Sequence, residues 1–370
     1  MTRVVAYWGR SFYPKHSFPV GRDAAWRGAL LDFTRSATNG AWWVGELQAG
    51  FGTVALRVSS TVTPLDLRTW MWSAIARGAK GVNVYAWYPM SSGYESGGFG
   101  LINLDGTITE RARAAGAVAK VVDANRDLFL NAHPAKADVA IVYNPLSYMV
   151  GGRRPQSAPG AQGEVGNNIE RNSMLGSYRA LFPTNVPVDF VHIDDIASHH
   201  YKLIIIPYPL MLSEPAARAL REFVRNGGAL VAEARLAWND ERGRAKEVIP
   251  GFGLNEVCGC RETAIQTTPS GKVDLDLWFK GIVYQESQQG NAIAHFADGS
   301  GAIVTSTFGK GRMMTIGTFL GAAYEADRDE KLAAFIRSML GWAGLQGGGE
   351  PPQSKVEIRT LESERTRVVF

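Results

Sequence analysis

The stretch AWWVGELQAG, residues 41–50, joins an apolar run to a single carboxylate, Glu46, and then breaks at Gly50. A short apolar run bounded by glycine is typical of a buried β-strand. The segment PLDLRTWMWSAIARGA, residues 64–79, follows it with Pro64 at its start and apolar residues at helical spacing. The stretch and its sequel therefore predict one strand followed by one helix.

The same strand-helix unit occurs on both sides of this stretch. Before it lie the strand pattern VVAYWG at 4–9 and the helix pattern DAAWRGALLDFTRSA at 23–37. After it lie GVNVYAWYP at 81–89 and TERARAAGAVAKVVDANRDLF at 109–129. Consecutive units of this kind form a parallel sheet covered by helices. Residues 1 to about 130 therefore predict an α/β region of three βα units.

A second α/β pattern begins after AHPAKA at 132–137. The strand patterns ADVAIVYN, VPVDFVHI, YKLIIIPYP and ALVAEA alternate with the helix patterns NNIERNSMLGSYRALF and SEPAARALREFVRNGG, which indicates a doubly wound sheet. Alternating segments from 251 to about 321 are predicted to extend the sheet edge before a last helix, DEKLAAFIRSMLGWA. The linker LQGGGEPPQ and an alternating tail then suggest the start of a β domain. We predict three regions, residues 1–132, 133–345 and 346–370.

Composition excludes several classes of protein. The chain has 370 residues with 45% hydrophobic content, enough for a large core. Its formal charge of +4 comes from Lys and Arg scattered among acids, which argues against a nucleic-acid partner. No apolar run reaches the roughly 18–20 residues of a membrane span. The two cysteines, Cys258 and Cys260 in a loop-like VCGCRE segment, exclude a disulfide framework and favour the reducing cytoplasm.

The candidate site lies where the first three strands end. Glu46 is at the carboxyl end of the middle strand, and in parallel βα structures that edge carries the active site. A strand-end glutamate that merely faces solvent or forms a salt bridge is the alternative. Sugars are held by aromatic stacking and by hydrogen bonds to their hydroxyls. The three strand ends supply such side chains: Trp8, Ser11 and Tyr13, then Trp43 and Glu46, then Trp87, Glu95 and Phe99.

These segments resemble a known family. WWVGELQAG, RTWMWSAIARGAKG, VNVYAWYPMSSGYESGGFG and the later ADVAIVYNP, YKLIIIPYPLMLS and FVRNGGALVAEA are similar to family-42 glycoside hydrolases, the bacterial β-galactosidase group. The resemblance implies a (β/α)8 barrel, an α/β trimerisation domain and a small β domain. The three units would be the last three of the barrel. The second region resembles a flavodoxin- or glutamine-amidotransferase-like domain, but Pro209 and Leu210 stand where an amidotransferase has its nucleophilic thiol.

The resemblance also assigns roles to site residues. It implies that Glu46 is the nucleophile, that Trp87 shapes the subsite for the transferred sugar and that Glu95 binds its hydroxyls. Trp8, Tyr13, Trp43 and Phe99 are the further predicted substrate contacts. The chain departs from the family at Tyr88, where Arg is common, and at 97–99, where a His is common. Those departures leave the identity of the sugar open.

The function predicted is that of a retaining β-galactosidase-type hydrolase acting through a glycosyl-enzyme intermediate. The family's acid/base lies in an Asn-Glu pair on an earlier barrel strand, for which this chain offers no match. We therefore expect a fragment that lacks the acid/base half and is inactive alone; the alternative is a noncatalytic carbohydrate-binding or assembly module. The expected partners are a β-galactoside and two further copies of the chain, without nucleic acid or membrane. No cofactor is expected, and no metal, because His199 and His200 lack a ligand spacing.

Overall fold

A computed structural model describes most of the chain and divides it into two compact units. The first unit comprises Met1–Lys136 with Val356–Phe370, and the second comprises Ala137–Lys355. The described residues are 8–16, 23–38, 41–54, 57–58, 60–151, 169–198, 200–266, 271–279, 281–346 and 356–370. Outside them lie residues 4–7 of the first predicted strand, His199, most of the Gly/Pro-rich loop after 151 and most of the linker at 345–353.

The first unit repeats a strand followed by a helix three times. Its elements are β1 (Trp8–Phe12), α1 (Ala24–Ser36), β2 (Trp42–Gln48), β3 (Thr53–Val54), β4 (Arg57–Val58), α2 (Pro64–Ile75), β5 (Ala79–Tyr85), α3 (Glu110–Ala124), α4 (Arg126–Asn131) and β6 (His133–Pro134). Strands β1, β2 and β5 form a parallel sheet with β2 in the middle. The predicted α/β alternation is therefore observed, and the first strand continues to Phe12, beyond its predicted end at Gly9.

Local sequence signals fix where these helices begin. The Asp23 side chain accepts the N–H of Trp26 at the start of α1. Thr63 and Asp66 form a reciprocal capping box on α2, which has proline in its first turn. Thr109 caps α3 in the same way as Asp23 caps α1. The predicted third helix breaks at Asn125, where α3 ends and α4 begins.

One face of the three-stranded sheet is covered and the other is open. Trp42, Val44 and Leu47 are each 1% exposed and pack with the apolar faces of the helices, α2 above all. The opposite face carries Ser11 and Trp43, which are exposed. Among the described residues this face has no covering helix, so the side chains that point from it are available to other groups.

The second unit is built on one mixed sheet. Its elements are β7 (Val139–Tyr143), α5 (Pro145–Gly151), α6 (Ile169–Leu181), β8 (Val188–His192), β9 (Leu203–Ile206), α7 (Glu214–Arg225), β10 (Ala229–Ala232), α8 (Leu254–Cys258), β11 (Cys260–Gln266), β12 (Gly271–Val273), β13 (Leu277–Phe279), β14 (Ile282–Ser287), β15 (Asn291–His295), β16 (Gly301–Phe308), β17 (Gly311–Ile316), α9 (Leu320–Asp327) and α10 (Glu330–Trp342). Two short 3₁₀ helices, Phe182–Thr184 and Ile193–Ser198, flank β8.

The central part of this sheet is parallel and buried on both faces. The strand order is β8-β7-β9-β10-β17, all parallel, and β16, β14 and β11 continue it as antiparallel strands, with β15 paired to β16. Every residue of β9 and β10 is buried. The core on one side includes Leu220 and Val224 of α7 and Leu254 of α8. The prediction that the segments after 251 extend the sheet agrees with this topology.

The C-terminal tail belongs to the first unit. Strand β18 (Thr360–Glu362) pairs with β6 and with β19 (Arg367–Val369). The guanidinium of Arg77, 2% exposed, forms ion pairs with Asp32 and with Glu357 of the tail. The segment for which we predicted the start of a separate β domain therefore packs here against residues some 280 positions earlier.

One expectation about local structure was wrong, and three short helices were missed. The VCGCRE segment is not a loop, since Cys258 ends α8, Cys260 begins β11, and both thiols are free and buried. Gly259 makes the turn between them with a φ of +63°. The short helices α5, α8 and α9 were not predicted.

Candidate active site

Glu46 faces the open side of the sheet because a β-bulge interrupts β2. Val44 lies on the helix-covered side, and strict alternation would send Glu46 there as well. The register with β1 shifts by one residue, because Arg10 pairs with Val44 whereas the next residue, Ser11, pairs with Glu46. Gly45 is the extra residue. The bulge thus re-aims the carboxylate toward Ser11, as bulges near active sites commonly do.

Two hydroxyl groups hold the Glu46 carboxylate. Ser11 Oγ and Tyr13 Oη each donate a hydrogen bond of 3.0 Å to Oε2 of Glu46. Burial, followed by the hydrogen bond to Glu46, raises the pKa of Tyr13, so its phenol stays a donor throughout the neutral range. Within the described residues, Oε1 of Glu46 makes no direct hydrogen bond and is available to an incoming group.

A second tyrosine-carboxylate pair lies beside the first. Tyr85, the last residue of β5, donates a 2.7 Å hydrogen bond to Oε2 of Glu95. That hydrogen bond, and then burial, raises the pKa of Tyr85. The rings of Tyr13 and Tyr85 meet edge to face with centroids 6.2 Å apart. The middle and third strand ends thus place two carboxylates around one pair of tyrosines.

Phe99 packs against both Tyr13 and Tyr85. Its ring centroid is 5.7 Å from that of Tyr13, 5.4 Å from that of Tyr85 and 5.2 Å from that of His16. Phe99 is only 2% exposed and has a φ of +64°, a left-handed backbone that a residue with a Cβ rarely adopts. Phe99 was predicted to contact the substrate directly. In the structure its ring packs against these other rings, and its burial leaves almost no ring surface for a substrate.

Backbone hydrogen bonds fasten the loop that carries Glu95. The N–H of Ala86 bonds the carbonyl of Phe99 at 2.8 Å, and the N–H of Phe99 bonds the carbonyl of Phe51 at 2.8 Å. The loop also approaches residue 50 so closely that a Cβ on Gly50 would lie 2.5 Å from the carbonyl oxygen of Gly100. The glycine that ends the opening stretch is therefore required for the loop to pack against β2.

The predicted tryptophans lie at different positions along the strands of the sheet. Trp43 is 44% exposed and rests on β5, where a Cβ on Gly81 would come within 2.7 Å of its ring. Trp87 is 59% exposed just beyond the end of β5. Trp8 pairs with Trp42 at the opposite end of the strands from Glu46. The assignment of Trp8 to a strand end was wrong, because β1 runs on to Phe12.

The structure brings together Glu46, Tyr13, Glu95 and Phe99, and it adds Tyr85 to them. Tyr85 was not singled out from the sequence, although its position as the last residue of an apolar strand was a usable signal. Among the described residues, no group of three or more His, Cys, Asp or Glu is placed to hold a metal ion. None of the helices in the described ranges is long and apolar enough to cross a membrane.

Comparisons with known proteins show which family the chain resembles. The family-42 model described as the β-galactosidase trimerisation domain matches residues 137–346, and the family-42 β-galactosidase model matches residues 3–124. The β-galactosidase LacZ of Heyndrickxia coagulans is 25% identical over 355 residues, which cover 92% of this chain and 50% of that protein. BgaB of Geobacillus sp. (strain Y412MC61) is 26% identical over 278 residues, 70% of this chain and 39% of that protein.

A solved structure shows the same fold. A catalytic mutant of Gan42B, a family-42 β-galactosidase from G. stearothermophilus, matches with a TM-score of 0.82 at 17% identity, over 100% of this chain and 54% of that one. The chain thus spans about half the length of these relatives or less. Since the trimerisation-domain model alone matches more than half of the chain, the chain belongs to glycoside hydrolase family 42, the β-galactosidase-like hydrolases.

Proposed function

We propose that this chain carries the nucleophile half of a retaining β-galactosidase active site. The observation that supports this most directly is the Glu46 carboxylate, which a bulge re-aims and which Ser11 and Tyr13 hold through Oε2. Its Oε1 has no hydrogen bond from any residue that the structure describes. A carboxylate held through one oxygen can present the other to the anomeric carbon of a sugar. The β-galactosidase names of the relatives favour a terminal β-galactoside as substrate.

The proposed chemistry uses two carboxylates of this chain and a separate general acid. Glu46 attacks the anomeric carbon and forms a glycosyl-enzyme intermediate, which water then hydrolyses with retention of configuration. Glu95, fixed by Tyr85, accepts hydrogen bonds from the sugar hydroxyls, and the exposed rings of Trp43 and Trp87 stack on its C–H face. Protonation of the leaving oxygen needs a second carboxyl about 5–5.5 Å from the nucleophile, which we assign to a part of the enzyme outside these residues.

We further propose the architecture that this chemistry requires. The parallel sheet of β1, β2 and β5 would be the last three units of a (β/α)8 barrel, whose interior is the open face that bears Trp43 and Glu46. The order β8-β7-β9-β10-β17 is that of a doubly wound, flavodoxin-like sheet, and it supports an amidotransferase-like trimerisation domain without a thiol nucleophile. The free thiols of Cys258 and Cys260 favour a cytoplasmic location.

The test uses the 370 residues joined to the first five barrel units of a family-42 relative. A 2-fluoro-galactosyl trap should label Glu46 in mass spectrometry, and Glu46→Gln should abolish labelling while galactose binding is kept, because the amide has the shape of the carboxylate but not its nucleophilicity. Glu95→Gln should chiefly weaken binding. Label on Glu95 would reverse the two roles.

The 370-residue chain alone is expected not to hydrolyse an aryl β-galactoside, since general acid catalysis contributes roughly 10²–10⁴ in rate and the open sheet lacks the other barrel walls. Hydrolysis by the isolated chain at the rate of the joined enzyme would overturn the assignment of the acid to an absent part. An assembly module without catalysis is the second candidate, favoured by the trimerisation-domain match. It predicts no labelling of Glu46 even in the joined enzyme.

A further inference from the structure

The loop that carries Glu95 is long and has little packing around that residue. It spans residues 86–109, between the end of β5 and the start of α3, and contains no helix or strand. Among the described residues, no atom beyond the chain neighbours lies within 4 Å of a Cβ built at Gly93 or Gly97. Loops of more than about 12–15 residues in compact domains usually serve a function. The position of Glu95 therefore depends on the hydrogen bonds that fasten this loop.

Arg111, in the first turn of α3, binds this loop and the end of β2 at once. Its Nη2 donates a 3.1 Å hydrogen bond to the carbonyl of Gly100, and its Nε donates one of 3.1 Å to the carbonyl of Ala49. Ala49 follows Glu46 by three residues, and Gly100 follows Glu95 by five. One planar guanidinium thus joins the two segments that bear the carboxylates.

The two carbonyls that Arg111 binds lie where the loop packs closely on β2. Ala49 is fully buried, and its N–H donates a 3.1 Å hydrogen bond to the carbonyl of Tyr85 at the end of β5. A Cβ on Gly50 would lie 2.5 Å from the same Gly100 oxygen that accepts the bond from Nη2. Arg111 therefore acts at the junction of β2, β5 and the loop.

The helix does not need Arg111 for its own start. The Thr109 side chain caps α3 by accepting the N–H of Ala112, and the surface ion pair of this turn joins Arg113 to Glu110. Burial lowers the pKa of Arg111, and no carboxylate among the described residues offsets that effect. Burying a guanidinium without an anion is costly, so the two carbonyl bonds are the feature that its position serves.

We propose that Arg111 is a positioning residue that sets the separation between the Glu46 and Glu95 carboxylates. Strand β2 is held by β1 and β5 on its two sides, whereas the loop is not part of a sheet, so Arg111 acts by holding the loop to the strand. A lysine cannot replace it, because a single ammonium group does not reproduce the two fixed donor directions of a guanidinium.

The consequence for catalysis rests on the proposed function. A sugar bound by Glu95 must present its anomeric carbon to Glu46, and a displacement of about 1 Å can cost roughly 10²-fold in rate. Loss of Arg111 should therefore slow the reaction through Glu95, although Arg111 touches neither carboxylate.

Hydrogen exchange measured by mass spectrometry on the 370-residue chain tests the attachment of the loop. Arg111→Met keeps the apolar stem and removes both donors, whereas Arg111→Lys keeps the charge and one donor group. Amides of residues 90–101, among them the Phe99 N–H that bonds the Phe51 carbonyl, should exchange at least about tenfold faster in Arg111→Met and less so in Arg111→Lys. Arg113→Met, at an exposed arginine of the same helix, is the matched control and should leave this exchange unchanged.

Kinetics of the joined enzyme test the effect on the reaction. Arg111→Lys should lower kcat/KM for an aryl β-galactoside by roughly 10- to 100-fold. In the Glu95→Gln background the same change should cost less than about threefold, because two residues that act through one another are not additive. A merely structural role would give the same loss in both backgrounds.

Two results would overturn the proposal. They are exchange of residues 90–101 in Arg111→Met that equals exchange in the parent chain, and equal kinetic losses from Arg111→Lys with and without Glu95→Gln. Circular dichroism checks folding, and if Arg111→Met does not fold, Arg111→Lys decides by the same measurement. A parent enzyme without fluorosugar label on Glu46 would refute the proposed function instead, and exchange would still decide whether Arg111 fastens the loop.

Discussion

Tyr13 and Ser11 donate to the same oxygen of Glu46, yet they differ in burial. Tyr13 is half-buried and packed against Phe99, whereas Ser11 is exposed. Hydrogen bonds to charged groups contribute about 1.5–3 kcal/mol when shielded from water and less when water can replace them. In an active enzyme containing this chain, Tyr13→Phe should therefore lower kcat by roughly 10- to 100-fold with little change in KM.

Ser11→Ala is the matched control for that change and should lower kcat by only a few fold, measured with an aryl β-galactoside. Because the pKa of Tyr13 is raised, the alkaline limb of the rate profile should not follow ionisation of this phenol. Equal losses for the two variants would show that the shielding argument is wrong.

At this scale the sequence predicted types of residue better than their orientations. Glu46 could be placed because a carboxylate ending an apolar strand is a clear signal, and its neighbours on adjacent strand ends followed from the parallel sheet. The burial of Phe99 could not be predicted, since it depends on a left-handed backbone in a loop. Trp8 was misplaced because the polar residues Arg10 and Ser11, in the second half of β1, did not look like part of a strand.

Among the elements, α6 and α9 make a close backbone contact. A Cβ on Gly176 would lie 1.9 Å from the carbonyl oxygen of Gly321, so the two backbones touch where no side chain fits. Gly176→Ala should destabilise the second unit by at least about 1–3 kcal/mol, because neither backbone can yield without losing helix geometry. Urea unfolding followed by circular dichroism measures the shift.

Gly116 in α3 offers the control, since nothing lies within 4 Å of a Cβ there. Gly116→Ala should be neutral or stabilise by up to about 1 kcal/mol, as expected for glycine in a helix interior. A harmless Gly176→Ala would mean that α6 and α9 are farther apart than described.

Helices and strands could be predicted where the repeating pattern of apolar residues was long, and not where it was short. Strand-helix alternation and the proline at the start of α2 could be read directly from the sequence. Helices such as α8, with five residues, are too short to show a period. The bulge at Gly45 could not be predicted either, because it is a property of two strands in register rather than of one.

For the whole molecule, assembly is the first testable property. The second unit matches a trimerisation domain, so we expect the chain to be a homotrimer with three times its mass of 40.2 kDa. Sedimentation velocity on the full chain at micromolar concentration provides the measurement. A single species at the monomer mass would contradict the proposed role of the second unit.

Stability should also depend on pH. Burial raises the pKa of Glu233 and of Glu262 to about 7, well above the value of roughly 4.3 for an unfolded glutamate. Between those values the folded chain holds protons that the unfolded chain releases, so stability is greatest at low pH and is lost as pH rises through 7. The lowered pKa values of Asp66, Asp240 and Asp274 act only in more acidic solution.

Calorimetry should therefore give a Tm several degrees higher at about pH 5.5 than at about pH 8. Glu262→Gln should reduce this difference, because an amide cannot ionise. An unchanged difference would show that other groups control the transition. Glu256, an exposed glutamate that pairs with Arg221, provides a control, since Glu256→Gln removes a surface carboxylate with little burial.

Two contacts of the tail set an order of events during synthesis. They are the ion pair of Arg77 with Glu357 and the pairing of β6 with β18. The ribosome must make the whole second unit before the tail that completes the first one emerges. At roughly 5–20 residues per second, the 280 positions between Arg77 and Glu357 take roughly 15 to 55 seconds. Throughout that interval Arg77 of the nascent first unit lacks the tail carboxylate with which it pairs. Strand β6 likewise lacks β18. A chaperone that shields this edge would thus matter most before the tail segment is made.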